Sequence, residues 1–209
     1  MQVIINGKSC HANHGETILN VAKREGIEIP TLCFAKWAGA HGGCRVCSVE
    51  ITRESWNGWK KVVTSCNHPV EDGIEVFTDS ERIIELRKGL ADLLLARCPE
   101  TPLVKKFAAK YGVLKTSFVN RENPDDCILC GLCVRACELI GAKAISTTNR
   151  GIEKKIGTPF GEPSNDCIGC ASCAHVCPTN CIKFTENELA RHIWDKDFEM
   201  LRCSVCGRS

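Results

Sequence analysis

Eight of the seventeen cysteines in this 209-residue chain fall into two copies of one spacing, C-x2-C-x2-C-x3-C. The members of the first copy are Cys127, Cys130, Cys133 and Cys137, and those of the second are Cys167, Cys170, Cys173 and Cys177. Thiolates at this spacing bind [4Fe–4S] clusters, whereas zinc sites and disulfide frameworks use other spacings. The repeat therefore predicts two [4Fe–4S] clusters and makes electron transfer the first function to consider.

The two runs are expected to share their clusters, as in a bacterial-type 2[4Fe–4S] ferredoxin domain. In such domains the fourth cysteine of each run ligates the cluster that the other run holds. One predicted ligand set is thus Cys127, Cys130, Cys133 and Cys177, and the other is Cys137, Cys167, Cys170 and Cys173. This crossing ties the two halves together and keeps the clusters close enough for electron hopping.

The high cysteine content of the chain has two possible explanations, a disulfide scaffold or metal binding. The segment from Met1 to Asn6 runs straight into a strand-like alternation without a secretory signal, and no apolar stretch approaches the length of a membrane span. Thiols stay reduced in the cytoplasm, so metal binding is favoured and we predict a cytoplasmic protein without membrane insertion. A net charge of +2 gives no support for a nucleic-acid partner.

An α+β fold is predicted, with a β-grasp domain over residues 1–79. Asn6-Gly7 is a hairpin signal, a helical pattern over residues 16–25 ends at Gly26, and strand-like segments follow at 44–52, 60–65 and 73–78. Residues 80–123 are predicted to form a helical linker, residues 124–185 the ferredoxin domain, and residues 186–209 a charged tail with a C-x2-C knuckle. The linker prediction rests on apolar residues that recur at helical spacing, namely Ile83, Leu86, Leu90, Leu93 and Leu94.

Four earlier cysteines form a second pattern, C-x10-C-x2-C-x18-C, and the glycines 42 and 43 precede its second member. The segments IPTLC (29–33) and GCRVCSVE (43–50) resemble the [2Fe–2S] domain of one family of iron–sulfur proteins. That family includes the large iron–sulfur subunit of complex I, the diaphorase small subunit of NAD-reducing hydrogenases, and the N-terminal part of [FeFe]-hydrogenases. The segments CGLCVRAC (130–137), NRG (149–151) and TPF (158–160) resemble the same subunits.

The resemblance implies a plant-type [2Fe–2S] ferredoxin-like domain whose ligands are Cys33, Cys44, Cys47 and Cys66. Full-length relatives carry a further [4Fe–4S] cluster with one histidine and three cysteine ligands between the two domains. This chain lacks the corresponding H-x3-C-x2-C-x5-C run, because Cys98 is the one cysteine there and no histidine lies between His68 and His175. We therefore expect that cluster to be missing.

The remaining cysteines leave room for one more metal site. One hypothesis is that Cys98, Cys181, Cys203 and Cys206 together bind zinc or a further iron–sulfur cluster. The alternative is that Cys98 and Cys181 are buried as small apolar residues. In that case the knuckle formed by Cys203 and Cys206 is idle or completes a site with another chain.

Neither a Gly-rich dinucleotide fingerprint nor a P-loop is present in the sequence. No catalytic residue is predicted, and the chain is expected to carry electrons inside a hetero-oligomeric oxidoreductase. By resemblance, its partners are a flavin/NAD(P)-binding subunit and a catalytic redox subunit. The complex would be an NAD(P)H-linked hydrogenase, a formate dehydrogenase or a bifurcating transhydrogenase. The alternatives are a diffusing ferredoxin-like carrier and a small reductase that uses the tail cysteines.

Overall fold

The computed structural model describes residues 1–120, 124–202 and 204–207. The chain divides into two compact units. The first comprises residues 1–99 and 104–120, and the second comprises residues 100–103 and the described residues after 120. The domain boundaries predicted from the sequence, after residues 79, 123 and 185, stay predictions. No helix in the described part of the chain combines the length and apolar character needed to cross a membrane.

The first unit is built on a five-stranded mixed sheet with the strand order β2-β1-β5-β3-β4. Its strands are β1 (Gln2–Ile5), β2 (Lys8–His11), β3 (Ser48–Thr52), β4 (Lys61–Thr64) and β5 (Ile74–Phe77). β1 and β2 form the predicted hairpin, while β1 and β5 pair in parallel with Val3 opposite Ile74. The strand predicted from residue 44 begins only at Ser48, because the segment before it is a loop that carries cysteines.

Helix α1 (Ile18–Arg24) covers one face of this sheet. Its N-cap, Thr17, accepts a hydrogen bond from the Asn20 N–H, and Gly26 follows it with a positive φ of 74°. The helix buries Ile18, Leu19 and Val21 against alternate residues of the strands. Most members of the buried cluster beneath this helix are aliphatic side chains, so burial of aliphatic surface stabilises this unit.

Two helices follow the sheet, α2 (Glu81–Arg97) and α3 (Pro102–Lys110). Ser80 caps α2 by accepting a hydrogen bond from the Ile83 N–H. The buried side chains of α2 are Ile83, Arg87, Ala91 and Leu95. Of the predicted apolar stripe, Ile83 is buried and Leu86, Leu90 and Leu94 are half-buried. Leu93 is exposed, and an arginine occupies the centre of the buried face.

The second unit repeats one local structure around its two cysteine runs. Helix α4 (Leu132–Ile140) begins after Gly131, and helix α5 (Ser172–His175) begins after Ala171. The residues on either side of the second cysteine of each run have positive φ values: Leu129 and Gly131 at 53° and 71°, Gly169 and Ala171 at 69° and 56°. A left-handed conformation at leucine and alanine is uncommon and costs energy, which is typical of loops shaped by a function.

Between the helices lies a two-stranded sheet, β6 (Ser146–Thr148) with β7 (Lys155–Gly157). The predicted charged tail is not irregular where the structure describes it. It contains β8 (Thr185–Glu186), β9 (Ala190–Ile193) and β10 (Lys196–Glu199), which form an antiparallel sheet in the order β10-β9-β8. Ile193 of this sheet is buried, and Phe198 packs beside it against the cysteine-bearing elements.

Candidate iron–sulfur centres

The first unit brings four cysteines together at one end of its sheet. Cys33 lies after α1, Cys44 and Cys47 lie in the loop before β3, and Cys66 follows β4. Cys33 contacts Cys44 and Cys47 contacts Cys66 through their thiols. This set is the one for which the resemblance implies a [2Fe–2S] cluster.

Two of these sulfurs are surrounded by donors that favour the thiolate. The thiol of Cys44 lowers the pKa of Cys33 to about 5, and the backbone N–H groups of Cys44 and Gly43 add to this against the effect of burial. The Cys44 N–H lies 3.5 Å from Cys33 Sγ. The pKa of Cys66 is lowered to about 6 by the thiol of Cys47 and by backbone N–H groups of the loop 41–42. The backbone N–H groups would also stabilise iron-bound thiolates, so the site fits the cluster.

The glycines before Cys44 allow this loop to approach the sulfurs. Gly42 has a φ of 69°, and a Cβ there would lie 2.9 Å from Asn67 Nδ2. At Gly43 a Cβ would lie 2.7 Å from the His41 ring. A side chain at position 42 would be strained by the left-handed backbone, and one at position 43 would require the His41 ring to move.

Arg87 stabilises the same loop through hydrogen bonds to its backbone. Its side chain is fully buried, with Nε donating to the Val46 carbonyl at 3.1 Å and Nη2 donating to the Ser48 carbonyl at 3.0 Å. The third contact is an ion pair with Asp79 at 2.9 Å. Because the two carbonyls flank Cys47, the guanidinium holds this ligand position in place.

The second unit contains a cavity of about 280 Å³ lined by five cysteines. Four of them are Cys127, Cys130, Cys133 and Cys177, the first set predicted from the crossed pattern, and the fifth is Cys181. Burial and the neighbouring thiols raise the pKa of Cys133 to about 12. Cys177 Sγ accepts a hydrogen bond from the Cys181 N–H at 3.3 Å. Burial opposes ionisation of Cys177, but hydrogen bonds from Thr179 and nearby backbone N–H groups together lower its pKa.

A smaller cavity of about 20 Å³ is lined by Cys137, Cys167, Cys170 and Cys173, which form the second predicted set. Cys137 Sγ accepts a hydrogen bond from the Ala144 N–H at 3.2 Å, and Cys173 Sγ accepts one from Trp194 Nε1 at 3.4 Å. Burial raises the pKa of Cys173, and the indole hydrogen bond opposes this. The structure thus gathers the eight cysteines in two crossed sets. Soft thiolate sulfur with N–H donors around it is a suitable ligand set for iron–sulfur clusters.

The described cysteines of the hypothetical fourth site differ in their location and burial. Cys98 is buried in the first unit at the end of α2, and Cys206 is exposed. Cys203 lies outside the described residues. Cys181 lines the cavity that Cys127 also lines, and the thiol of Cys127 raises the pKa of Cys181. In the described part of the chain, Asp125, Cys127 and Cys181 place their ligand atoms within 4.8 Å of one another. The fourth-site hypothesis stays a prediction.

Sequence reasoning missed two residues that contact these sites. Arg87 carried a signal, because it interrupts the buried face at positions 83, 87, 91 and 95, where an arginine needs hydrogen-bond partners. Trp194 carried none, since its role depends on a hairpin in a segment that was predicted to be a tail.

Comparison with known proteins agrees with this division. Residues 1–81 match the family model of a 2Fe-2S iron-sulfur cluster binding domain, and residues 121–184 match that of a 4Fe-4S dicluster domain. The chain is therefore an iron–sulfur protein that joins these two kinds of domain in an α+β architecture.

Its relatives are subunits of NAD(P)H-linked enzymes, which confirms the resemblance derived from the motifs. It is 36% identical over 203 residues to the NADPH-Fe(3+) oxidoreductase subunit alpha of Geobacter sulfurreducens, covering 86% of this chain and 23% of the relative. It is 30% identical to the NADP-reducing hydrogenase subunit HndD of Solidesulfovibrio fructosivorans, covering 93% of this chain and 37% of that subunit. The chain thus spans well under half the length of these curated relatives.

A solved structure shows the same resemblance over most of both chains. A chain in the crystal structure of an NAD+-reducing [NiFe]-hydrogenase in the H2-reduced state superposes with a TM-score of 0.74 at 27% identity. The match covers 86% of this chain and 85% of that chain.

Proposed function

We propose that this chain is an electron-relay subunit that holds one [2Fe–2S] and two [4Fe–4S] clusters. The proposed ligands are the three sets of four cysteines described above. The observation that carries the proposal is the grouping of the eight cysteines of the second unit into two crossed sets around two cavities. Thiols left over from folding would not divide in this way.

When bound, such clusters accept and release single electrons, and the protein supplies position, hydrogen bonds and dielectric. The backbone N–H groups of Cys44, Ala144 and Cys181 donate to cysteine sulfurs of the three sites. These bonds stabilise negative charge on the sulfurs and thereby favour the reduced state.

The proposed partners are a flavin/NAD(P)-binding subunit and a catalytic redox subunit in a cytoplasmic hetero-oligomer. Support comes from the names of the relatives, which are subunits of oxidoreductases and hydrogenases that use NAD(P)H. Because the sequence lacks the H-x3-C-x2-C-x5-C run, electrons would pass between the two cluster-bearing units directly or through a cofactor of a partner.

Two measurements test the proposal. Anaerobically prepared protein should contain about ten iron atoms per chain and show [2Fe–2S] and [4Fe–4S] signals by EPR after reduction. Anaerobic affinity isolation from the native extract should recover a flavin-containing partner. A chain that incorporates zinc alone would refute the cluster assignment, and a loaded chain that remains monomeric would refute the role as a subunit.

A further inference from the structure

The hairpin of β9 and β10 places one tryptophan under backbone strain. Ile193 pairs with Lys196, so Trp194 and Asp195 form the two-residue turn, with φ values of 55° and 57°. Two-residue turns with both residues left-handed favour asparagine and glycine, and a bulky aromatic residue is unfavourable there. The fold tolerates this conformation because the rest of the hairpin is anchored.

The hairpin is anchored by contacts with the loop that carries Cys167 and Cys170. Lys196 Nζ donates to the carbonyls of Ser164 and Cys167 at 3.0 and 3.3 Å, and Arg191 Nη1 donates to the Gly169 carbonyl at 2.6 Å. Phe198 covers Gly169 so closely that a Cβ on the glycine would lie 2.5 Å from the ring. The hairpin is thereby held against the loop of the second cysteine set.

Trp194 occupies the position between the two cysteine sets. Its side chain lines the cavity of Cys127 and also the cavity of Cys173. It also lines an open groove of about 560 Å³ on the surface of this unit. The indole N–H donates to Cys173 Sγ at 3.4 Å, so its polar contact is with the second set.

We propose that Trp194 is a positioning residue that raises the reduction potential of the second [4Fe–4S] centre. This inference rests on the proposed function, because it requires that the two cysteine sets hold clusters. A hydrogen bond to a ligand sulfur stabilises the more negative, reduced cluster. Lys196, whose Nζ contacts the carbonyl of Cys167, acts in the same direction through its positive charge, whereas the charge of Arg191 is paired with Glu186. We assign the effect to the second centre alone, because Cys177 of the first set has a hydrogen bond of its own from the Cys181 N–H.

The test is a redox titration of the fully loaded chain, followed by EPR, with Trp194→Phe as the variant. Phenylalanine keeps an aromatic ring between the sites but removes the N–H donor. One [4Fe–4S] centre should shift to a lower potential by about 59 mV, which corresponds to a tenfold change for a one-electron couple. The other [4Fe–4S] centre and the [2Fe–2S] centre should keep their potentials.

Trp59→Phe is the matched control, because it makes the same substitution at an exposed tryptophan of the first unit. Its potentials should equal those of the unchanged chain. The inference is overturned if Trp194→Phe loads fully and moves no potential, or if both variants shift the same centre equally. A chain that loads no [4Fe–4S] cluster at all would instead refute the proposed function.

A second measurement needs no substitution in the hairpin. The chain has four tryptophans, and Trp194 is the one in the second unit, while Trp37, Trp56 and Trp59 lie in the first. With indole-15N tryptophan incorporated, ENDOR of the reduced second [4Fe–4S] centre should show a 15N coupling. If no such coupling appears in a fully loaded chain, the indole does not contact that centre and the inference is wrong.

Discussion

The two units differ in what their cores are made of. The first has a five-stranded sheet and a helix around aliphatic side chains such as Ile5, Leu19 and Ile74, which far outnumber the cysteines buried with them. The second has short strands, and in one of its buried clusters Cys133 and Cys173 pack with two isoleucines and two alanines. Aliphatic contacts therefore hold the first core, whereas the second unit has fewer of them and is expected to depend on its metal for stability.

Removal of iron should reveal the largest difference in stability between the two units. After anaerobic chelation, backbone amides of α4, α5 and β8–β10 should exchange at rates close to those of an unfolded chain. Amides of β1, β3 and β5 should stay protected, because buried aliphatic residues hold that sheet. Hydrogen–deuterium exchange followed by mass spectrometry measures both units in one sample. Equal loss of protection in both would contradict the comparison.

Single ligand substitutions should show whether each cluster of the second unit takes its ligands from both cysteine runs. Cys177→Ser and Cys127→Ser should both alter the same [4Fe–4S] centre, although the residues belong to different runs. Cys173→Ser should alter the other centre, because Cys173 lines the other cavity. EPR and iron content of the three variants decide this. If Cys177→Ser and Cys173→Ser give the same spectrum, the ligand sets follow the runs and do not cross.

Arg87→Met tests whether the first unit carries an internal support of its own for the cluster loop. Two buried carbonyls, at Val46 and Ser48, lose their donor, and each unsatisfied group costs about 1–3 kcal/mol. The free energy of unfolding of the first unit should fall by about 2–4 kcal/mol in denaturant titrations. Lys88→Met, which removes an exposed pair with Glu85, should change it by about 0.5 kcal/mol or less. Equal effects of the two substitutions would show that the buried contacts add nothing.

Cys181→Ser is expected to have the smallest effect. The cavity that Cys181 lines already contains four cysteines at the predicted positions, so iron content and EPR spectra should be unchanged. A parallel Cys98→Ser variant should also keep its metal content. Loss of zinc or of about four iron atoms from both variants would instead support the fourth metal site predicted from the sequence.

The comparison also shows where prediction from sequence succeeded. The cysteine spacings indicated the kind of each domain, because most ligands of one cluster lie only a few residues apart in the sequence. The hairpin at Asn6-Gly7 and the end of α1 before Gly26 were predicted for the same reason, since they depend on neighbouring residues. The buried face of α2 was predicted only in part: Ile83 is buried as expected, but Arg87 was missed, because its partners lie 39 and 41 residues away in sequence.

By itself, the sequence determined the composition of the sites: twelve cysteines in two patterns, one of which occurs twice, two kinds of domain, and the lack of the run with one histidine and three cysteines. Only the tertiary structure decided which groups surround those cysteines. It folded the predicted tail into a hairpin, placed the Trp194 indole on Cys173 and put the Arg87 guanidinium beneath Cys47. The physical reason is range: ligand spacing is a local property of the chain, whereas a hydrogen bond to a sulfur or a buried carbonyl requires segments that only packing brings together.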